Sequence, residues 1–164
     1  MLLAQLDSAT DFLLSIIRKG KILILSTQIK GKITELKVAT KILQLGYIIS
    51  QPLVDTRYDF LLDYNEKIYK IQVKTANLNK DGTGIVFYTS NTHINTKGAI
   101  NRNYKGEIDF FATCWDDQIY LIPIDDCGSR SKTLRIEPTE NNQTSGISWL
   151  KDYEIKKILN DLNE

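Results

Sequence analysis

Apolar residues recur along this chain with two different periods. Over residues 32–45 (KITELKVATKILQL), Ile33, Leu36, Ala39, Ile42 and Leu43 fall at helical spacing, and Gly46 stands where a helix C-terminal cap is expected. Beyond Gly46 the period shortens. Residues 47–50 (YIIS) predict a short strand and Pro52 a turn. Residues 57–64 and 67–74 predict two strands rich in Tyr, Phe, Ile, Leu and Val, joined by Asn65-Glu66, a two-residue turn that is not the preferred Asn-Gly. Asn77 to Gly84 reads as a loop, 85–89 (IVFYT) as a strand and 90–107 as a long polar loop. A second hairpin follows over 108–114 and 118–124 around Trp115-Asp116-Asp117, then a strand at 133–136. Residues 149–162 predict a closing helix whose apolar side is Leu150, Tyr153, Ile155, Ile158, Leu159 and Leu162.

The first thirty residues carry the apolar runs 12–17 (FLLSII) and 22–25 (ILIL), separated by Arg18-Lys19-Gly20-Lys21. Neither run approaches the ~20 apolar residues of a membrane-spanning helix. The basic group follows the first run, and Asp7 and Asp11 precede or begin it, which is the wrong order for a secretory signal. An amphipathic helix, then a short strand or a further helical turn, is expected here, either packed on the core or on a partner or forming a dispensable extension. The chain divides into an N-terminal extension over 1–30 and one domain over 31–164. It holds no internal repeat and no low-complexity tract.

Composition narrows the function. The chain has 164 residues, 42% hydrophobic and 25% charged, which is ordinary globular usage with room for a core. A formal net charge of +1 gives no global attraction for nucleic acid, so a DNA partner requires a local basic face. Cys114 and Cys127 follow no metal-binding spacing and read as reduced structural thiols of a cytoplasmic protein. His93 is the single histidine and supports neither a metal cluster nor a hydrolase triad.

The first hairpin carries the candidate chemistry. Pairing Tyr64 with Lys67 sets Asp59 opposite Gln72, with Cβ atoms roughly 4.5–5.5 Å apart, and Lys74 shares their face. Phe60, Leu62, Tyr69, Ile71 and Val73 point the other way. An acid, twelve residues, an acid-like side chain, one spacer and a lysine make the layout of a metal-dependent nuclease site. A hard cation such as Mg2+ takes oxygen ligands. Asp59 supplies a charged oxygen, Gln72 a neutral one, and Lys74 a cation beside the attacking water or the phosphate. The same three residues also fit an ordinary polar sheet face. Glu35 lies beside the apolar stripe of the helix, three residues after Lys32. It either favours the helix N-terminal dipole or reaches toward the hairpin site. Lys80, Asn91, His93, Asn95, Lys97, Arg102, Asn103 and Lys105 mix charge, amide and imidazole groups that suit phosphate and base-edge contacts, and they equally suit an exposed loop.

Glu35 in GKITELKVA, Asp59 in RYDFLL, Gln72 and Lys74 in YKIQVKTA, then NRNYKGEIDFF and IYLIPID resemble the PD-(D/E)xK nuclease superfamily. More narrowly, they resemble its bacterial homing endonucleases encoded in group I introns. The resemblance runs from about Gly31 to Asp126. It implies an α/β fold in which a central mixed sheet is flanked by helices. Glutamine in place of the usual acid at position 72 fits that narrower group. The resemblance further implies that Asp59 and Gln72 bind one Mg2+ ion or two, with Glu35 as a further carboxylate and Lys74 assisting the water. Tyr104 and Asp109 match the same family run and are expected to support the site. The partners implied are a long, nearly palindromic double-stranded DNA and further copies of the chain, a tetramer in preference to a dimer, with no membrane. A restriction-type or junction-resolving nuclease, an inactive DNA-binding relative and a plain interaction domain are the rival functions.

Overall fold

The computed structural model describes residues 26–95, 98–138 and 145–162. The expected N-terminal amphipathic helix and strand fall on residues 1–25 and lie outside the described residues.

Helix α1 spans Thr27–Gln44 and begins ahead of Gly31, where helical spacing becomes readable. The Ser26 side chain caps it by accepting the Ile29 N–H at 3.3 Å. At the other end Gly46, at φ 86°, lets the chain turn back. The Gly46 N–H reaches the Leu43 carbonyl at 2.9 Å and the Tyr47 N–H reaches the Ile42 carbonyl at 3.2 Å, a glycine-terminated cap as expected.

Five strands form the central sheet in the order β1-β2-β3-β8-β9: β1 Ile48–Ser50, β2 Phe60–Tyr64, β3 Lys67–Val73, β8 Phe110–Trp115 and β9 Gln118–Pro123. All pairs are antiparallel except β3 with β8. This makes the sheet mixed, and α1 packs across β1, β3, β8 and β9. A smaller sheet holds β4 Asn77–Leu78, β5 Gly84–Tyr88 and β10 Ser131–Arg135. There β5 and β10 approach so closely that a Cβ on Gly84 would sit 2.5 Å from the Leu134 carbonyl oxygen. The core lies where these layers meet: Phe111 of β8 stacks obliquely on Phe87 of β5 and edge-on against Tyr104, at centroid distances of 5.7 and 5.3 Å.

Four expectations need correction. Asn77 and Leu78, expected to begin a loop, form strand β4 because they pair with Val86 and Ile85. The buried side of α1 is Thr34, Val38 and Ile42; of the expected stripe Ile42 is buried and Ala39 packs on the core, but Leu36 and Leu43 are 60% and 57% exposed. At about 100° per residue these two sets lie on opposite sides of the helix, and both are apolar enough to read as a core face. The polar stretch 90–107 is not simply a loop. It contains a two-stranded ribbon, β6 Ser90–Asn95 and β7 Gly98–Asn103, paired from Ser90↔Asn103 to Asn95↔Gly98. Finally, the closing segment is not one helix. A 3₁₀ turn over Leu150–Tyr153 precedes helix α2, Ile155–Asp161, because Glu154 is extended and bridges to Tyr120 on β9. Ile155, Ile158 and Leu159 still bury the expected side of α2.

Candidate active site

The β2–β3 hairpin has the register set by its turn. Tyr64 pairs with Lys67 and Phe60 with Ile71, while the Asp59 N–H donates to the Ile71 carbonyl at 2.8 Å. The turn residues Asn65 and Glu66 both sit at positive φ, 51° and 60°, the twist a two-residue hairpin demands. Phe60, Leu62, Ile71 and Val73 are buried on one face. Asp59, Gln72 and Lys74 therefore stand on the other, and all three are half-buried.

Asp59 and Gln72 touch. The Gln72 Nε2 donates to Asp59 Oδ2 at 2.6 Å, and the Val73 backbone N–H donates to the same oxygen at 2.6 Å. Burial dominates the electrostatics of Asp59 and pushes its carboxyl up to about 6. The Val73 N–H, Lys74 and Lys32 pull it down, and the charge of Glu35 pushes it further up. Glu35 and Asp59 thus share one electrostatic neighbourhood. Glu35 is ion-paired with Lys32, whose own pKa is raised first by that bond and also by Asp59. Next to Glu35 on α1, the Thr34 hydroxyl lies 2.8 Å from that of Thr75, which ties the helix to the end of the site strand.

The Lys74 ammonium is held from the far side. Its Nζ donates to Asn91 Oδ1 and to Tyr104 Oη, each at 2.9 Å. Burial lowers its pKa below the ordinary lysine range, Asp59 opposes this and Arg57 adds to it. Tyr104 is 1% exposed, so this acceptor is held inside the core edge. Arg57 lies over the Tyr104 ring, its Cζ 3.8 Å from the centroid. Arg57 also pairs with Glu107 and donates to the Asn103 carbonyl at 2.6 Å, and Arg102 pairs with the same Glu107. Arg102 sits opposite Asn91 in the ribbon, so the base of the ribbon is tied to the site through both strands.

The remaining sequence candidates are scattered. Lys80 is exposed in the β4–β5 turn. His93 and Asn95 occupy β6 positions opposite Ile100 and Gly98, and Lys97 lies outside the described residues. Lys105 is exposed and 3.8 Å from Asp125. Asp109 serves the frame: its Oδ2 accepts the Lys70 N–H at 2.7 Å, extending the β3–β8 pairing by one rung. The spacing of the site residues gave no hint of Arg57 or Glu107, and it gave Asn91 no link to Lys74.

Among the described residues no three His, Cys, Asp or Glu side chains gather as a metal cluster. The donor set at the hairpin is instead one carboxylate and one amide, with Glu35 nearby. Hard oxygen donors suit a divalent cation of the Mg2+ kind, and a cation there would relieve the unfavourable charge of Asp59.

A solved structure titled as that of a bacterial homing endonuclease, I-Ssp6803I, has a TM-score of 0.68 to this chain. It is 22% identical, covering 85% of this chain and 97% of its own, and that likeness is one of fold. No curated protein sequence matches. A family model described as PD-(D/E)XK endonuclease matches residues 25–156, a stretch that holds α1, both central hairpins, the ribbon and every residue of the site just described. With its mixed sheet and its Asp59–Gln72–Lys74 face, this chain belongs to the PD-(D/E)XK endonuclease family.

Proposed function

We propose that the chain is a homing-type endonuclease that hydrolyses phosphodiester bonds in both strands of a long, nearly palindromic DNA duplex. The observation that carries this reading is the half-buried trio Asp59, Gln72 and Lys74 on one hairpin face, with a carboxyl whose pKa is pushed up to about 6. Such perturbed groups cluster where charge is meant to meet a ligand. Asp59, Gln72 and Glu35 would hold the divalent cation, Mg2+ being the expected one. When bound, that ion supplies Lewis-acid polarisation of the phosphate and eases deprotonation of water.

The chain's own residues do the rest. Asp59 is aimed by the Val73 N–H and Gln72, which leaves its second oxygen for the cation. Lys74, fixed by Asn91 and Tyr104, directs an N–H toward the scissile phosphate or the attacking water. The ribbon presents Arg102 and Asn103 to the duplex, and a two-stranded ribbon is the right width for a major groove. Lys80 and Lys105 add phosphate contacts.

Two cuts in a duplex require two sites, and the described residues offer one. We therefore read the active form as a two-fold symmetric assembly, a tetramer in preference to a dimer. Exposed Ile29, Leu36 and Leu43 along the outer side of α1 support self-association.

The test is cleavage, with Mg2+, of a randomised pool of duplexes by the wild type, Asp59→Asn, Lys74→Ala and Gln72→Glu. The wild type should enrich one cut sequence, and the first two variants should cut none. Normal cutting by Lys74→Ala and Asp59→Asn would sink the site assignment, and no cutting by the wild type would favour an inactive DNA-binding relative. Gln72→Glu tells whether the amide is required or tolerated.

A further inference from the structure

Lys74 does not choose its own direction. Two of the three N–H bonds of its ammonium are spent on Asn91 Oδ1 and Tyr104 Oη, each at 2.9 Å. Because the ammonium can only donate, the Tyr104 oxygen accepts from it, as Asn91 Oδ1 does. Two acceptors from different parts of the chain thus converge on one ammonium. Tyr104 is itself immobile, being 1% exposed, edge-on to Phe111 at 5.3 Å and capped by Arg57 at 3.8 Å.

Asn91 has a different origin. It belongs to β6, in the ribbon, and faces Arg102, which holds Glu107, which holds Arg57 above Tyr104. A closed circuit of contacts therefore runs from the lysine into the ribbon and back.

We propose that Asn91 and Tyr104 are positioning residues that aim the Lys74 ammonium, and that through Asn91 the ribbon on the DNA sets the lysine in the cleavage site. The inference rests on the nuclease reading given above. It assigns Asn91 a role in the chemical step in place of contact with DNA.

The experiment uses the full chain, Mg2+ and one duplex selected by wild-type cleavage from a randomised pool. Rate at saturating enzyme, duplex affinity and thermal midpoint are measured for the wild type and for Lys74→Ala, Tyr104→Phe, Asn91→Leu and Asn91→Asp. Tyr104→Phe keeps the buried ring and removes only the hydroxyl. It and Asn91→Leu should slow cleavage by about 10- to 100-fold with affinity and midpoint unchanged, the size of effect a misaimed group produces. Asn91→Asp keeps the acceptor oxygen and should restore most of the rate. Wild-type rates in Tyr104→Phe and Asn91→Leu beside a dead Lys74→Ala overturn the positioning role and leave the nuclease reading intact. So do rates that fall only in step with affinity or midpoint, and so does an Asn91→Asp as slow as Asn91→Leu. A Lys74→Ala that cuts like the wild type overturns both readings.

Discussion

The central sheet contains two hairpins, β2–β3 and β8–β9, closed in the same way and buried differently. Asn65-Glu66 and Asp116-Asp117 both turn through left-handed backbone, at φ 51° and 60° in the first and 45° and 57° in the second. In β8–β9 consecutive residues are buried, Phe110 to Thr113 on one strand and Ile119 to Ile122 on the other, so both faces are covered. In β2–β3 only alternate residues are buried, and the open face carries Asp59, Gln72 and Lys74. The first hairpin accepts a half-buried carboxylate because the second, joined to it through β3 and β8, is held by apolar packing on both sides. One hairpin is frame, and the other is free to hold groups that oppose folding.

The sharpest break of this comparison is a substitution that costs activity and spares the fold. Lys74→Ala should cut its selected duplex at least about 1,000-fold more slowly, the scale lost when a charge-stabilising group is removed, with an unchanged thermal midpoint. In the frame the reverse holds. Phe111→Ala should cost about 3–5 kcal/mol in urea unfolding, because Phe111 is fully buried against Phe87 and Tyr104. Equal losses of stability from both substitutions would erase the distinction.

A third effect is slightly smaller and depends on pH. Asp59 ionises at 3.8 in an ordinary setting and at about 6 here. Below the lower value folded and unfolded chains are both protonated, and the group costs nothing. As pH rises through about 6 the folded chain must hold a buried charge, a penalty of about 3 kcal/mol in the metal-free protein. Asp59→Asn should therefore match the wild type near pH 4 in urea unfolding with chelator present, and exceed it at neutral pH. Added Mg2+ should narrow the gap by stabilising the wild type alone. The smallest effects test what the hairpins share. Glycine at Glu66 or at Asp117 should stabilise by about 0.5–1 kcal/mol each, since both replace a side chain in left-handed backbone.

The site hairpin was legible in the sequence for a simple reason. Period-two alternation and a two-residue turn leave one register, and a slip by one residue would bury Gln72 and expose Ile71. The α1 face was not legible, because Ile33, Leu36 and Leu43 on one side and Val38, Ala39 and Ile42 on the other both look like a core stripe. Only the sheet beneath decides between them. The ribbon was missed because its Asn, Thr and Gly residues give no apolar alternation. It is secured instead at its base by Asn91, Arg102 and Asn103 to groups elsewhere in the chain. That network joins Arg57 to Glu107 across fifty positions, and no local pattern announces it.

The parallel pairing of β3 with β8 has an evolutionary consequence. Parallel neighbours cannot be joined by a tight turn, so a long connection must leave one strand and return to the other. Here that connection runs from Lys74 to Asp109 and carries β4, β5 and the whole ribbon. The ribbon proposed above to contact DNA thus sits inside an obligatory detour, where lengthening or exchange need not disturb the sheet. A new ribbon grafted between Thr89 and Tyr104 would inherit the same nuclease, provided that it returned an asparagine to the place of Asn91. On that proposal, target choice can drift quickly on a cutting apparatus that stays still.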